Sequence, residues 1–378
     1  MNILIAPDKF KGTLSASQVC DSIELGLLRS GLKATIWKFP LADGGEGTLD
    51  IFLQHKNGRL IEIDVHDPLM RKIKAGYGLS GDGTVAFIEM ASASGLTLLK
   101  TEERNPLRTT TFGTGEMIKD VVERGAEHII LGVGGSATND AALGALVALG
   151  ARVTDQSGGL IFPVGESLKQ IAKIELQPVL DLMKGKRITA ICDVDNAFYG
   201  SEGAAFTYAL QKGADEVGVQ ILDAGLRHVA NLVLRDLKID LQKVYGSGAG
   251  GGFAGGAHAF MGAELRRGTD VVFDITNFYK AVAWSNIVIT GEGKLDNQTL
   301  QGKLVHGVVR AIQKLGKPVY VICGESQLTV DEVKSLNATA IFSLTNYAGK
   351  EAAIMQPAKT LAKLTELQSS KMNKKGDG

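Results

Sequence analysis

The sequence predicts an α/β protein of two domains, a parallel domain formed by both chain ends with a second α/β domain inserted between them. Three observations lead there. The chain has 378 residues, more than one hydrophobic core usually serves. Near both ends, short apolar runs alternate with helical patterns, the texture of parallel βα units. From about residue 59 to 91 that texture gives way to strict alternation, as in Leu60-Ile61-Glu62-Ile63-Asp64-Val65, with the turn signal Ser80-Gly81-Asp82-Gly83. That stretch predicts antiparallel hairpins.

The elements follow in order. Residues 3–6 form an opening strand. Ser15-Ala16-Ser17-Gln18 fits a capping box, in which Ser15 caps the helix and Gln18 reaches back. Val19, Ile23 and Leu27 recur every four residues on one face, and Gly31 marks the stop. Residues 35–39 form the next strand. After the hairpins, parallel strands are expected at 128–132, 188–193, 286–290, 318–323 and 339–344. The domains are therefore placed at 1–57 with 281–368, and at 58–280. Residues 369–378, rich in Lys, Asn, Asp and Gly, read as a disordered tail.

Composition excludes several classes of function. Lys+Arg and Asp+Glu both number 41, so no basic footprint for nucleic acid or an anionic membrane is present. No apolar run approaches the ~20 residues of a membrane span. The start, Met1-Asn2-Ile3-Leu4-Ile5-Ala6-Pro7-Asp8, reads as a strand and not as a signal peptide. Three scattered cysteines suit a reducing compartment and offer no zinc motif. A cytoplasmic location is expected. The six histidines show no ligand or triad spacing.

Five segments place polar or glycine-rich groups at the carboxyl ends of expected strands, where ligands of open α/β sheets sit. Asp8-Lys9-Phe10-Lys11-Gly12-Thr13 puts lysine beside a helix start, suited to an anion. Asp43-Gly44-Gly45-Glu46-Gly47 sets two carboxylates among glycines, able to hold Mg²⁺ or orient a hydroxyl. Gly132-Val133-Gly134-Gly135-Ser136-Ala137-Thr138-Asn139-Asp140 joins a strand to a helix through a glycine turn, a phosphate cradle. Asp193-Val194-Asp195 puts two carboxylates on one side of an extended chain, and Gln211-Lys212-Gly213-Ala214 follows. Glu292-Gly293-Lys294-Leu295-Asp296, with Thr299, Gly302 and Lys303, suits polyphosphate with a metal. The run Gly248–Gly256 implies close backbone approach, either to a ligand or to another element.

One competitor is specific. Gly132 to Ala137 also fits G-x-G-x-x-A, and Asp155 lies at the spacing of a dinucleotide ribose acid. An NAD-dependent oxidoreductase is the alternative. It leaves the other carboxylate-rich turns without a role, whereas phosphoryl transfer from Mg·ATP needs them. A non-catalytic anion binder is a third class, with less need for acids in its site. There is no P-loop and no protein-kinase motif set.

Together, and in this order, these motifs resemble the bacterial type 1 glycerate kinase family over about residues 1–365. The resemblance implies ATP-dependent phosphorylation of glycerate with Mg²⁺, usually yielding 2-phosphoglycerate. It also implies that the parallel domain is flavodoxin-like. Departures from the family pattern include Lys9 where Ser is usual, and Ala141-Ala142 where Gly-Gly is usual. Leu304-Val305 and Tyr208-Ala209-Leu210 depart too, and none removes a charged group.

On this reading Lys11, Asp43, Asp193 and Asp195 are the catalytic candidates. Asp8, Lys11, Asp43 and Glu46 bind glycerate. Gly134, Gly135, Ser136, Thr138, Asn139, Lys212, Glu292 and Lys303 bind ATP. Asp193, Asp195, Glu292 and Asp296 are the metal candidates. The partners are small molecules, glycerate and ATP, with no nucleic acid and no membrane.

Overall fold

The computed structural model describes residues 1–300 and 303–373. The chain folds into two compact units, Met1–Ile51 with Thr269 onward, and Phe52–Gly268.

The first unit carries a five-stranded, all-parallel sheet. Its spatial order is Thr35–Lys38, Asn2–Ile5, Ile287–Leu295, Val319–Ser326, Ala340–Ser343. Numbered along the unit, that order is 2-1-3-4-5, the flavodoxin-like arrangement. The central strands are apolar at nearly every position because a parallel sheet is covered on both faces. Alternation divides their side chains between two cores. Ile3, Ile5, Ile287, Ile289, Tyr320 and Ile322 face one core with Val19, Ile23 and Leu27. Leu4, Ala6, Val288, Val319 and Val321 face the other with Leu304, Val308 and Ile312. The Ser15 capping box forms as expected, Gln18 N–H donating to Ser15 Oγ and Ser15 N–H to Gln18 Oε1.

The second unit holds a mixed six-stranded sheet. The hairpin Arg59–His66 and Lys72–Leu79 pairs antiparallel, from Arg59 opposite Leu79 to His66 opposite Lys72. Val85–Glu89 adds antiparallel to it, and His128–Gly132, Arg187–Ile191 and Glu264–Arg266 then continue the sheet in parallel. The helices Phe112–Glu123, Glu216–Leu237 and Phe253–Met261 supply much of its core.

Two boundaries differ from expectation for physical reasons. The helix Thr48–His55 crosses the first edge: Ile51 enters the first unit's core, while Phe52 stacks on Phe87 in the second. At the second edge, the helices Gly268–Thr276 and Phe278–Trp284 bury Val272, Phe273, Phe278 and Val282 in the first unit. The return therefore comes at 268/269, ahead of the strand that was its visible signal. The expectation of a disordered tail is corrected for Ser369 to Asn373, which belong to the helix Pro357–Asn373, with Leu361, Leu364 and Met372 in the core. Residues 374–378, and Gly302 of the fifth motif, lie outside the described residues. Among the described residues, no helix is long and apolar enough to cross a membrane.

His128 gives this unit a pH response. Burial, with Arg187 and Arg266 nearby, lowers its pKa from 6.5 to about 4. Nε2 lies 2.9 Å from Thr189 Oγ1. A depressed folded pKa gives stability that is present above pH 6.5 and lost as pH falls toward 4. In H128N the melting temperature is expected to fall less across that window than in the parent. Parallel melting curves would refute the assignment.

Candidate active site

In a 2-1-3-4-5 sheet, the connections after strands 1 and 3 leave in opposite directions and open a crevice at the carboxyl ends. The first unit has a cavity of about 460 Å³ at that place. Asp8, Lys9 and Lys11 reach it from the loop after Asn2–Ile5, and Asp43 from the loop after Thr35–Lys38. Glu292, Lys294, Asp296 and Lys303 come from the strand Ile287–Leu295 and the segment after it. Thr13, Glu325, Thr345 and Lys350 complete the charged and polar lining.

The acids and lysines are not mixed at random. Asp8 and Glu292 are buried, at 7% and 8% exposure, while Lys11, Lys294 and Lys350 are exposed. Burial, then the neighbouring Asp43 and Glu292 charges, raises Asp8 to about 8, although Lys9 N–H donates to its Oδ1 at 2.7 Å. Burial likewise lifts Glu292 to about 7, against a 2.6 Å hydrogen bond from Thr299 Oγ1 and the charge of Lys303. Buried carboxylates in such a state favour a proton or a cation. Exposed lysines favour an anion. A metal-bound anion satisfies both.

Asp43 Oδ1 accepts from Gly45 N–H at 3.0 Å. Glu46 points elsewhere. Its side chain is 79% exposed, and it pairs with Lys9 at 3.2 Å while its carbonyl accepts from the same ammonium. Among the described residues, no group of three His, Cys, Asp or Glu side chains is close enough to cage a metal. Magnesium commonly binds through one or two carboxylates together with substrate phosphates, and Asp8, Asp43 and Glu292 provide the oxygen chemistry for that mode.

The second unit gathers the remaining candidates. Beyond His128–Gly132, Gly134 and Gly135 are exposed, whereas Ser136, Thr138, Asn139 and Asp140 are buried. Lys212 lies beneath the turn at 4% exposure, its ammonium donating to Ser136 Oγ (2.9 Å) and the Thr138 carbonyl (2.8 Å). Burial pulls Lys212 down to about 7, with Asp140 opposing. Asp140 is itself raised to about 6 by burial, while Thr111 N–H, Thr111 Oγ1 and Gly144 N–H donate to its Oδ2. Thr138 Oγ1, Asn139 Nδ2 and Asp140 Oδ1 are buried without a hydrogen-bond partner. Asp193 accepts from Gly268 N–H at 2.8 Å. Asp195 accepts from Tyr245 Oη, toward which Arg267 donates at 3.2 Å.

The run Gly248–Gly256 packs against other elements. A Cβ on Gly251 would lie 2.0 Å from the Thr138 carbonyl, and one on Gly256 2.0 Å from that of Ala141. The dinucleotide reading fails on topology. Arg152–Thr154 pairs antiparallel with Lys173–Glu175 in a separate two-stranded sheet, so Asp155 does not end a strand beside His128–Gly132. Its carboxylate instead closes its own turn, accepting from Ser157 N–H, Ser157 Oγ and Gly159 N–H.

Sequence reasoning missed Glu325, Thr345 and Lys350 in the first unit. Two of them had a signal: Glu325 is near the carboxyl end of Val319–Ser326, and Thr345 follows Ala340–Ser343. Lys350 had none, since it follows a break in the helix Leu344–Met355 at Gly349. Tyr245 and Arg267 were likewise missed in the second unit.

Comparison with known proteins adds an independent result. A family model described as the glycerate kinase family matches residues 3–372. A glycerate kinase of Bacillus cereus is 41% identical over 98% of this chain and 100% of its own. The glycerate 2-kinase of Escherichia coli is 41% identical over 92% of both chains. A crystal structure from Salmonella typhimurium, described as a glycerate kinase 2, superposes with a TM-score of 0.89 at 39% identity, covering 99% of this chain and 98% of that one.

Proposed function

Because the chain belongs to the glycerate kinase family, we propose that it transfers the γ-phosphate of ATP to a hydroxyl of glycerate. The protein is a phosphotransferase; no finding favours a nicotinamide-dependent reaction. The observation that carries the reading is the first unit's cavity, lined by the buried acids Asp8 and Glu292 and by exposed lysines at the switch point of a parallel sheet. The name of the Escherichia coli relative, glycerate 2-kinase, supports 2-phosphoglycerate as the product.

Phosphoryl transfer depends on positioning and on neutralising charge. In the proposed mechanism Lys11 and Lys303 meet phosphate or carboxylate oxygens. Asp43 accepts a hydrogen bond from the glycerate hydroxyl and sets its direction. Asp8, buried in the same cavity, offers glycerate a second carboxyl group. The backbone N–H groups of Gly134 and Gly135 meet phosphate. Magnesium, when bound, supplies positive charge to the triphosphate. In the first unit, one or two carboxylates drawn from Asp8, Asp43, Glu292 and Asp296 would hold the metal together with substrate phosphates; Asp193 and Asp195 are a separate candidate pair in the second unit. Glu46, paired with Lys9, keeps a supporting place at the loop. The three cysteines are free and buried, in keeping with a reducing compartment such as the cytoplasm.

The test is purified protein with Mg·ATP and glycerate, following ADP release and identifying the product by phosphorus NMR. Glycerate-dependent ADP release with a 2-phosphoglycerate signal is expected. ADP release that ignores glycerate would remove the substrate assignment, and a 3-phosphoglycerate signal would correct the position.

A further inference from the structure

A buried lysine is an expensive way to hold a turn. Removing an ammonium from water is strongly unfavourable unless a carboxylate or several acceptors compensate. The two groups that accept from Lys212 are neutral, Ser136 Oγ and the Thr138 carbonyl. The one charge that favours its ammonium form is that of the buried Asp140, and a thioether of similar length would fill the same space but donate to neither acceptor.

The surroundings show what is being held. The inner half of the turn is fixed on several sides. Ala137 N–H donates to the Ser94 carbonyl, and Thr109 Oγ1 to the Ala137 carbonyl. Gly251 backs Thr138 too closely to admit a side chain. Three polar atoms on consecutive residues, from Thr138 to Asp140, stay unpaired in the interior. Only Gly134 and Gly135 face solvent. The Lys212 amine is thus bonded to the buried half of a turn whose other half, Gly134 and Gly135, is exposed.

We propose that Lys212 is a positioning residue of the phosphate-binding turn, holding Ser136 and Thr138 from below so that Gly134 and Gly135 present their backbone to the polyphosphate of ATP. Lys212 does not touch the nucleotide. Its charge acts through the turn, and a polyphosphate above it favours the ammonium form that burial disfavours. This deepens the kinase reading and rests on it.

The experiment compares K212M and S136A with the parent. KM is measured for ATP and for glycerate, with kcat, inhibition by inorganic tripolyphosphate, and melting temperature. In K212M, KM for ATP is expected to rise at least tenfold and tripolyphosphate inhibition to weaken in parallel. KM for glycerate should stay within twofold, and the melting temperature should fall modestly because Ser136 Oγ and the Thr138 carbonyl lose their donor. S136A keeps the lysine but removes one acceptor, and a rise of about threefold in KM for ATP alone is expected. It keeps the proposal testable should K212M fail to fold. Unchanged KM for ATP in a folded K212M, or in S136A, would overturn the proposal while leaving the kinase intact. So would equal rises in both KM values, which mark a general structural role. A parent protein without ATP-dependent turnover would instead overturn the kinase reading.

Discussion

Asp43→Asn is expected to lower kcat by at least a hundredfold while leaving the protein as stable as the parent or more so. The two effects have one origin. Asp43 shares a cavity with Asp8 and Glu292, and its charge adds to burial in raising both pKa values. A raised carboxylate pKa means stability that is full below the unfolded value and is lost as pH rises through the folded one. For these groups the loss runs from the ordinary 3.8 and 4.5 up to about 8 and 7. Neutralising Asp43 removes part of that penalty. The melting temperature of D43N should therefore exceed the parent's at pH 8, with the gap closing toward pH 4. Activity moves the other way, because a preorganised group acting on the reacting hydroxyl is worth about 3 kcal/mol of barrier, or roughly a hundredfold in rate. Repulsion among acids is kept for the reaction, a trade of stability for activity. Near-parent turnover in D43N would remove Asp43 from the mechanism, and a large drop in melting temperature would show that it holds the fold.

Gly251→Ala is expected to lower the melting temperature sharply by adding a single methyl. Gly251 has φ +73°, and the added Cβ would meet the Thr138 carbonyl at 2.0 Å and Asn139 Cα at 2.8 Å. Left-handed backbone costs a residue with a Cβ about 1–2 kcal/mol. Overpacking in a filled interior adds about 1–3 kcal/mol. The sum, about 2–5 kcal/mol, corresponds to roughly 10 °C in the melting of a domain this size. Because the clash falls on the carbonyl that accepts from Lys212, KM for ATP should rise as well. Calorimetry of the variant is the check, and melting within 2 °C of the parent would contradict the packing described here.

Much of the fold was legible, for reasons that apply residue by residue. Ile3, Leu4 and Ile5 are continuous because both faces of their strand are covered, and Leu60 to Val65 alternate because theirs is not. Ser15 and Gln18 announce a helix start because unpaired N–H groups need those acceptors. The assembly of Lys11, Asp43 and Glu292 around one cavity follows from a single rule about strand ends.

What escaped was information held in three dimensions only. Glycine's small size reads the same whether a ligand or a carbonyl approaches, so the role of Gly248–Gly256 needed Thr138 and Ala141 in place. Asp155 had the right spacing, but spacing does not say which strand lies alongside. The helices from 268 to 284 carry no mark of the unit they cover. Ala141 and Ala142, where glycines are usual in the family, adopt φ of 55° and 64°. The substitution was visible, but the backbone that makes it costly was not.

The first unit is interrupted by the second. Ile3 lies beside Ile287 in the sheet, with residues 52–268 between the two halves. On a ribosome adding about 5–20 residues per second, the opening strand waits for its central neighbour for roughly ten seconds to a minute. The inserted unit emerges whole during that delay. It can mature vectorially while the amino-terminal segment holds the pairing of Asn2–Ile5 with Thr35–Lys38 but not yet its central strand.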